Sequence, residues 1–146
     1  MTPLIGWPRR SERGSASVEL AVLIPGLVIL LGLMVAGGRL WFARSTVEEA
    51  AYSSARAASL ARTAAQAAAD GHTAGQQALA TDGLECGHET IDISTTGFQV
   101  EVGRPASISS HIRCTVMFSD VLLPGMPGSL VVEASSSSAL DTYRSR

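Results

Sequence analysis

The chain has 146 residues and a formal net charge of −2, which is enough length for one small domain and an anchor segment. The charge is unevenly distributed. Arg9, Arg10 and Arg13 lie within the first 14 residues, whereas the rest of the chain carries 8 Arg against 12 acidic residues. A basic leader before an acidic body argues against nucleic acid as a partner.

Residues 1–14 predict a short, polar cytoplasmic leader. After it, the 19 residues from Leu20 to Gly38 carry no charge. As a helix they would span about 28 Å, close to the hydrocarbon thickness of a bilayer. We therefore predict a transmembrane helix over residues 15–38 in contact with membrane lipid. Burial in a soluble core is the alternative, but so short a chain could hardly surround such a helix.

The arginines of the leader predict the orientation of this span. Positive charge favours the cytoplasmic side, so the N-terminus is expected in the cytoplasm and the C-terminal part outside. Arg39 and Arg44 flank the other end of the span and weaken this rule. The expected location is the cytoplasmic membrane, crossed once.

Residues 39–82 are rich in alanine and favour an extracytoplasmic helix. No glycine or proline interrupts them before Asp70-Gly71, where the helix is expected to end. A weaker helical piece is expected from Thr73 to Ala80. Since large apolar side chains are scarce on this rod, we expect it to pack against similar helices of other subunits rather than fold back on its own domain.

Residues 83–146 predict a small antiparallel β-rich domain, because apolar and polar side chains alternate along them. The expected strands lie around Ile91 and Ile93, at Phe98–Val102, at Ile108–Phe118 and at Leu130–Leu140, with a loop at Leu122–Gly128. The predicted fold class is thus α+β: a long N-terminal helix, first transmembrane and then Ala-rich, followed by this sheet.

Two cysteines, Cys86 and Cys114, lie beyond the apolar stretch. In an oxidising compartment the natural expectation is a disulfide between them, which would stabilise so small a core by roughly 3 kcal/mol. The alternative is zinc, with His88 and His111 completing a Cys2His2 set, but the spacing is not that of a common zinc finger.

No fingerprint of an enzyme is present. The chain lacks a Gly-x-Ser-x-Gly elbow, a P-loop and a dinucleotide-binding glycine motif. His72 lies in a predicted loop, and no Ser-His-Asp arrangement follows from spacing. We therefore expect no catalytic residue, no cofactor and no metal site.

The residues just before the apolar stretch carry the most specific signal. Gly14 follows a basic segment, Ser15 comes next, and Glu19 is the fifth residue counted from Ser15. This pattern resembles a class III prepilin leader. The resemblance implies cleavage between Gly14 and Ser15 by a prepilin peptidase, with the apolar segment kept in the product. It also implies that Glu19 pairs with the freed α-amine of a neighbouring subunit during assembly.

A wider resemblance covers about residues 13–60. Gly14, Val18-Glu19, Pro25, Gly38-Arg39 and Ala55-Arg56-Ala57 resemble the start of TadE-like proteins, although Leu20 stands where many members have an aromatic residue. TadE-like proteins are minor pilins or pseudopilins of the tight-adherence (Flp) pilus system. The resemblance implies a structural subunit whose partners are other pilin-like subunits and the inner-membrane pilus assembly machinery. It also implies a bacterial cytoplasmic membrane as the location, with the pilus or cell surface as the destination after assembly.

An alternative reading of the N-terminus stays open. Val35-Ala36-Gly37 are small enough for signal peptidase, and Leu20–Met34 would serve as the apolar region of an ordinary signal peptide. In that case the mature chain would begin near Gly38 and would be a secreted β-domain with a binding function.

Overall fold

The structure of the chain, a computed structural model, describes residues 15–117 and 128–143. In chain order its elements are α1 (Ser15–Leu60), α2 (Ala64–Thr81), β1 (Cys86–Ser94), β2 (Ala106–Met117) and β3 (Ser129–Leu140). The predicted class, a long N-terminal helix followed by a small antiparallel sheet, is confirmed. The leader 1–14 and all but the last residue of the loop predicted at Leu122–Gly128 lie outside the described residues.

The helical part is a hairpin and not one rod. The prediction of a helix running to Asp70-Gly71 is wrong, because α1 ends at Leu60 and α2 runs back along it after three residues. Thr63 starts the second helix. Its backbone is extended, at φ −128° and ψ 154°, and its Oγ1 accepts a hydrogen bond from the backbone N–H of Gln66 at 3.2 Å. This contact satisfies one of the free N–H groups at the start of α2.

Gly71 lies inside α2 instead of ending a helix. A Cβ there would come within 3.1 Å of both Ala58 Cβ and Ile93 Cδ1, and Gly75, one turn later, comes equally close to Ile91 Cδ1. The absence of side chains at these two positions lets α2 approach α1 and the sheet. A helical glycine costs about 1 kcal/mol relative to alanine, and close packing offsets that cost here.

The sheet has the order β1-β2-β3 and is antiparallel throughout. β2 pairs with β3 over its whole length, from Ala106 opposite Leu140 to Met117 opposite Ser129. The pairing of β1 with β2 is interrupted between Cys86 and Glu89, where the register shifts.

The strand predicted at Phe98–Val102 is not formed. Thr96–Gln99 make a short 3₁₀ turn instead. Gly97 is buried in this turn, and a Cβ at its position would collide with the carbonyl oxygen of Ser107. Although its apolar residues alternate, this segment is therefore a tight connection between β1 and β2 and not a strand.

The outer half of α1, from Leu40 onwards, lies across the sheet and shares its core. One cluster of buried residues joins α1, α2 and the sheet: Ala43, Val47, Ala50, Ala51, Leu79, Ile112, Cys114, Val116 and Val132. A second joins Ala58, Ala67, Ile108 and Leu140. The predicted segments 39–82 and 83–146, as far as they are described, therefore share a continuous core.

The two clusters also fix the direction of the elements. Along α1 the neighbours change from Val132, near the start of β3, to Leu140 at its end. β3 thus runs in the same direction as α1, away from the apolar stretch, and β2 runs back towards it. The turn from α1 to α2 is at the far end of the domain, which is the end farthest from the apolar stretch.

Candidate functional site

The inner half of α1, which is the stretch Leu20–Gly38, is apolar and exposed. From Leu20 to Val35 its large aliphatic side chains are between 50% and 72% exposed. It belongs to the candidate membrane span Val18–Leu60 found among the described residues, in which an 18-residue window has a mean hydropathy of 2.6 and is only 6% buried. A core helix of a soluble protein would be mostly buried, so the alternative of a buried helix does not hold. By length and composition the helix could cross a membrane.

The predicted processing residues lie at the inner end of α1. Ser15 is the first residue of the helix, and Gly14 lies outside the described residues. Glu19 is exposed one helical turn beyond Ser15. No ion pair or hydrogen bond of Glu19 occurs among the described residues.

The outer half of α1 is anchored to the domain through small residues. Ala43, Ala50, Ala51, Ala55 and Ala58 have no exposed surface. The expectation that the Ala-rich helix stays unpacked on its own chain is therefore wrong. The alanine side chains of α1 are small, but the sheet and α2 come close enough to α1 to leave no empty space between them.

Serine hydroxyls connect the same surfaces. Ser54 Oγ donates to the carbonyl oxygen of Gly71 at 2.8 Å, and Ser110 Oγ donates to Ser54 Oγ at 2.9 Å. Further out, Ser138 Oγ donates to Ser59 Oγ at 2.9 Å. Ser138 thus joins β3 to α1. These hydroxyls have serine or backbone partners and form no catalytic pair with histidine.

The opposite side of the outer half of α1 has no cover within the described chain. We call it the open face of α1, made of Trp41, Arg44, Glu48, Glu49, Tyr52, Arg56 and Leu60, all exposed. Trp41 is 74% exposed and Leu60 is 73% exposed. Arg44 and Glu48 make no ion pair with another described residue. Sequence reasoning did not identify this face, although the spacing of Arg44 and Glu48 was visible.

The two cysteines form the expected disulfide. Their Sγ atoms are 2.02 Å apart and their Cα atoms 5.3 Å apart, and the bond joins β1 to β2 beside the register shift. Because both sulfur atoms are used, the zinc alternative is wrong. His88 and His111 join no group of metal-binding side chains among the described residues.

A small charged cluster occupies the sheet surface that faces away from α1. Arg113 Nε lies 3.3 Å from Glu133 Oε1 and 3.1 Å from His111 Nε2. His111 Nε2 also lies 3.7 Å from Glu133 Oε2. Arg113 Nε donates the hydrogen bond to His111 Nε2. All three side chains are at least one-third exposed, so these contacts contribute little to stability.

Two open cavities lie at the ends of the domain. One, of about 550 Å³, is next to the membrane span and is lined by Arg39, Phe42, Leu84, Glu85 and Met117 among others. The other, of about 370 Å³, is at the far end beside Arg62 and Tyr143. Ser59 and Asp141 also line the second cavity, but the Ser59 hydroxyl donates to the backbone carbonyl of Arg56 at 2.8 Å.

The comparison with protein families gave a match that lies almost entirely within α1. Residues 14–56 match the family model described as TadE-like protein. The match begins at the predicted cleavage site and covers the apolar half of α1 and most of its outer half. Neither the curated proteins nor the solved structures compared with this chain gave a significant match.

Proposed function

We propose that this chain, a TadE-like protein by its match over residues 14–56, is a structural subunit of the Tad pilus system. The family is associated with this pilus, and its members are structural proteins that interact with other pilus components. In finer terms, we propose a minor pilin or pseudopilin that helps to build the filament or to prime its assembly.

The observation that carries this proposal is the continuity of α1. The helix runs unbroken for 46 residues from Ser15 to Leu60, with an exposed apolar inner half and an outer half packed into a folded domain. A subunit built in this way keeps its anchor after processing and presents its domain at a fixed distance from the membrane.

Processing by a prepilin peptidase is part of the proposal. Cleavage between Gly14 and Ser15 would remove the basic leader and leave an α-amine at the start of α1. That amine is protonated at neutral pH, since such groups titrate near pH 8. Glu19, which has no partner among the described residues, would pair with the amine of a neighbouring subunit.

The proposed organisation follows from this processing. Residues 1–14 form the cytoplasmic leader and residues 15–38 the span, with residues 39–82 and 83–146 together outside the cytoplasmic membrane. Arg9, Arg10 and Arg13 favour a cytoplasmic N-terminus.

The mass of the mature protein tests the proposal. Protein extracted from the membrane should have the mass of a chain that begins at Ser15, and Gly14→Glu should leave the leader attached because a large charged side chain obstructs the scissile bond. Gly6→Glu, in the same leader but away from that bond, is the matched control and should be processed normally. A mature chain that retains residues 1–14 in the wild type would contradict the proposal.

One observation favours a second candidate, a secreted binding domain released from a signal peptide. Apart from Ala36, the buried residues begin at Ala43, beyond the apolar stretch. A chain cleaved near Gly38 would therefore keep the shared core of α1, α2 and the sheet. The same mass measurement decides between the two, because this candidate requires a product that begins near Gly38.

A further inference from the structure

The spacing of charges on α1 repeats at its two ends. Arg44 precedes Glu48 by four residues, as Ser15 precedes Glu19. The second pair lies 29 positions after the first, which at 3.6 residues per turn is about eight full turns plus about 20°. Because α1 is continuous over both pairs, Ser15 and Arg44 share one side of the helix, and Glu19 and Glu48 share one side.

Two copies of this chain anchored in the same membrane have parallel α1 helices. If they stood at the same height with their open faces in contact, Arg44 would face Arg44 and Glu48 would face Glu48. Contact between like charges is unfavourable, and nothing in the described chain neutralises either residue. An unshifted pair is therefore disfavoured.

A shift of one helical turn removes this repulsion. When one copy moves outward by four residues, about 6 Å, its Arg44 reaches the height of Glu48 in the other copy. The same shift brings its Tyr52 to the height of Arg56, where the guanidinium can stack on the ring. It also brings its Ser15 to the height of Glu19.

We propose that the open face of α1 binds the open face of a second copy of this chain, parallel and displaced by one helical turn, with Arg44 of one copy paired with Glu48 of the other. This inference rests on the proposed pilin-like function, since the α-amine of Ser15 exists only after cleavage. The exposed ion pair adds little affinity by itself and selects the register, while the apolar halves of the helices supply the contact within the bilayer.

Cross-linking in native membranes tests the register. Two differently tagged full-length chains, one Arg44→Cys and the other Glu48→Cys, are co-expressed and treated with a short bis-maleimide. Both native cysteines are in a disulfide, so they give no background. We expect a mixed dimer from the two variants together and little dimer from either variant alone.

Charge reversal then tests whether the ion pair sets the register. With Tyr52→Cys and Arg56→Cys as the cross-linking pair, Arg44→Glu or Glu48→Arg in both copies should each remove most of the dimer. The two reversals combined should restore it. Glu49→Arg is the matched control, because Glu49 would face Ser45 at this shift, and it should leave the yield unchanged. Glu19→Ala should lower the yield while leaving cleavage intact.

Three results would overturn the inference. Dimer formed mainly by Arg44→Cys alone would mean an unshifted pair, and dimer between positions 48 and 56 would mean a shift of two turns. No dimer in any combination would mean that the open face binds a different protein. In each case a chain still shortened to Ser15 and recovered with pilus components would leave the proposed function standing.

Discussion

At the scale of single residues, hydroxyl groups determine how α1 fits its domain. Ser54 and Ser110 are fully buried, yet both oxygens have hydrogen-bond partners, and no buried side-chain nitrogen or oxygen among the described residues lacks one. Ser54 is the centre of this contact, since it donates to Gly71 of α2 and accepts from Ser110 of β2. One side chain therefore connects three elements.

Replacing Ser54 with alanine should lower the stability of the domain. The change removes both hydrogen bonds of Ser54 and leaves the buried Ser110 hydroxyl without its acceptor, which costs about 1–3 kcal/mol. Urea unfolding of the detergent-solubilised full chain measures the loss. Ser137→Ala, on the exposed side of β3, is the matched control and should change stability by less than about 0.5 kcal/mol. Equal midpoints for the two variants would contradict the role of Ser54.

Gly71 shows where sequence reasoning at this scale fails. Asp70-Gly71 indicates a helix end by local preference, because glycine is the usual residue just beyond a helix. Here its missing side chain admits Ala58 and Ile93 instead. Whether this glycine ends a helix or lies inside one depends on the positions of these two neighbours. Both are distant from it in sequence, so local sequence does not show which applies.

At the scale of elements, the sequence predicted the helix with a long uncharged stretch and the strand whose apolar and polar side chains alternate regularly. The uncharged stretch of α1 and the alternation at Ile108–Phe118 both carry such a signal, and α1 and β2 lie there. The break after Leu60 was not predictable from propensity, since Ala61, Arg62 and Thr63 do not exclude a helix. Packing of α2 back on α1 ends the first helix, with Thr63 as a cap.

Of the candidate site, the sequence predicted the processing residues but not the open face of α1. Gly14, Ser15 and Glu19 are adjacent in sequence, so their pattern was visible without a fold. The open face of α1 depends on which side of the helix the sheet covers. In the outer half the alanines are buried or half-buried and the charged side chains are exposed. Their spacing is visible in the sequence, but it does not say whether this chain's own sheet or another subunit covers the alanine side.

Loss of the disulfide should destabilise the domain, because β1 is an edge strand held by β2 on one side and by α2 above it. The cysteines are 28 positions apart, and closing a loop of that length restricts the unfolded chain by about 3–4 kcal/mol. Urea unfolding with and without reductant should show this loss. Unreduced, denatured protein should give no thiol labelling, and two labelled cysteines per chain would contradict the bond.

At the scale of the whole molecule, the chain combines an exposed apolar half-helix with a folded domain that starts on the same helix. The core residues from Ala43 to Leu140 belong to the domain alone. The exposed aliphatic residues from Val18 to Val35 have no described element packed over them. The two parts of the chain therefore differ in how much apolar surface they expose, although one helix runs through both.

A chain beginning at Ala36 should accordingly fold as a water-soluble monomer. It retains α2, the sheet, the disulfide and every part of α1 that contributes to the two core clusters. Circular dichroism should show mixed helix and strand, with a cooperative thermal transition, and size-exclusion chromatography should give one peak at the monomer volume. An aggregated or unfolded product would contradict the assignment of the inner half to the anchor alone.

The unbroken backbone of α1 also has a mechanical consequence. No residue outside helical geometry separates the apolar half of α1 from the half that packs into the domain, so a tilt of the outer part of the apolar half would tilt the domain with it. Pro25 lies within the apolar half and has no backbone N–H to donate, so one hydrogen bond of the helix is missing there. Bending of α1 under load would therefore concentrate at the turn before Pro25, inside the apolar half, and spare the part that carries the domain.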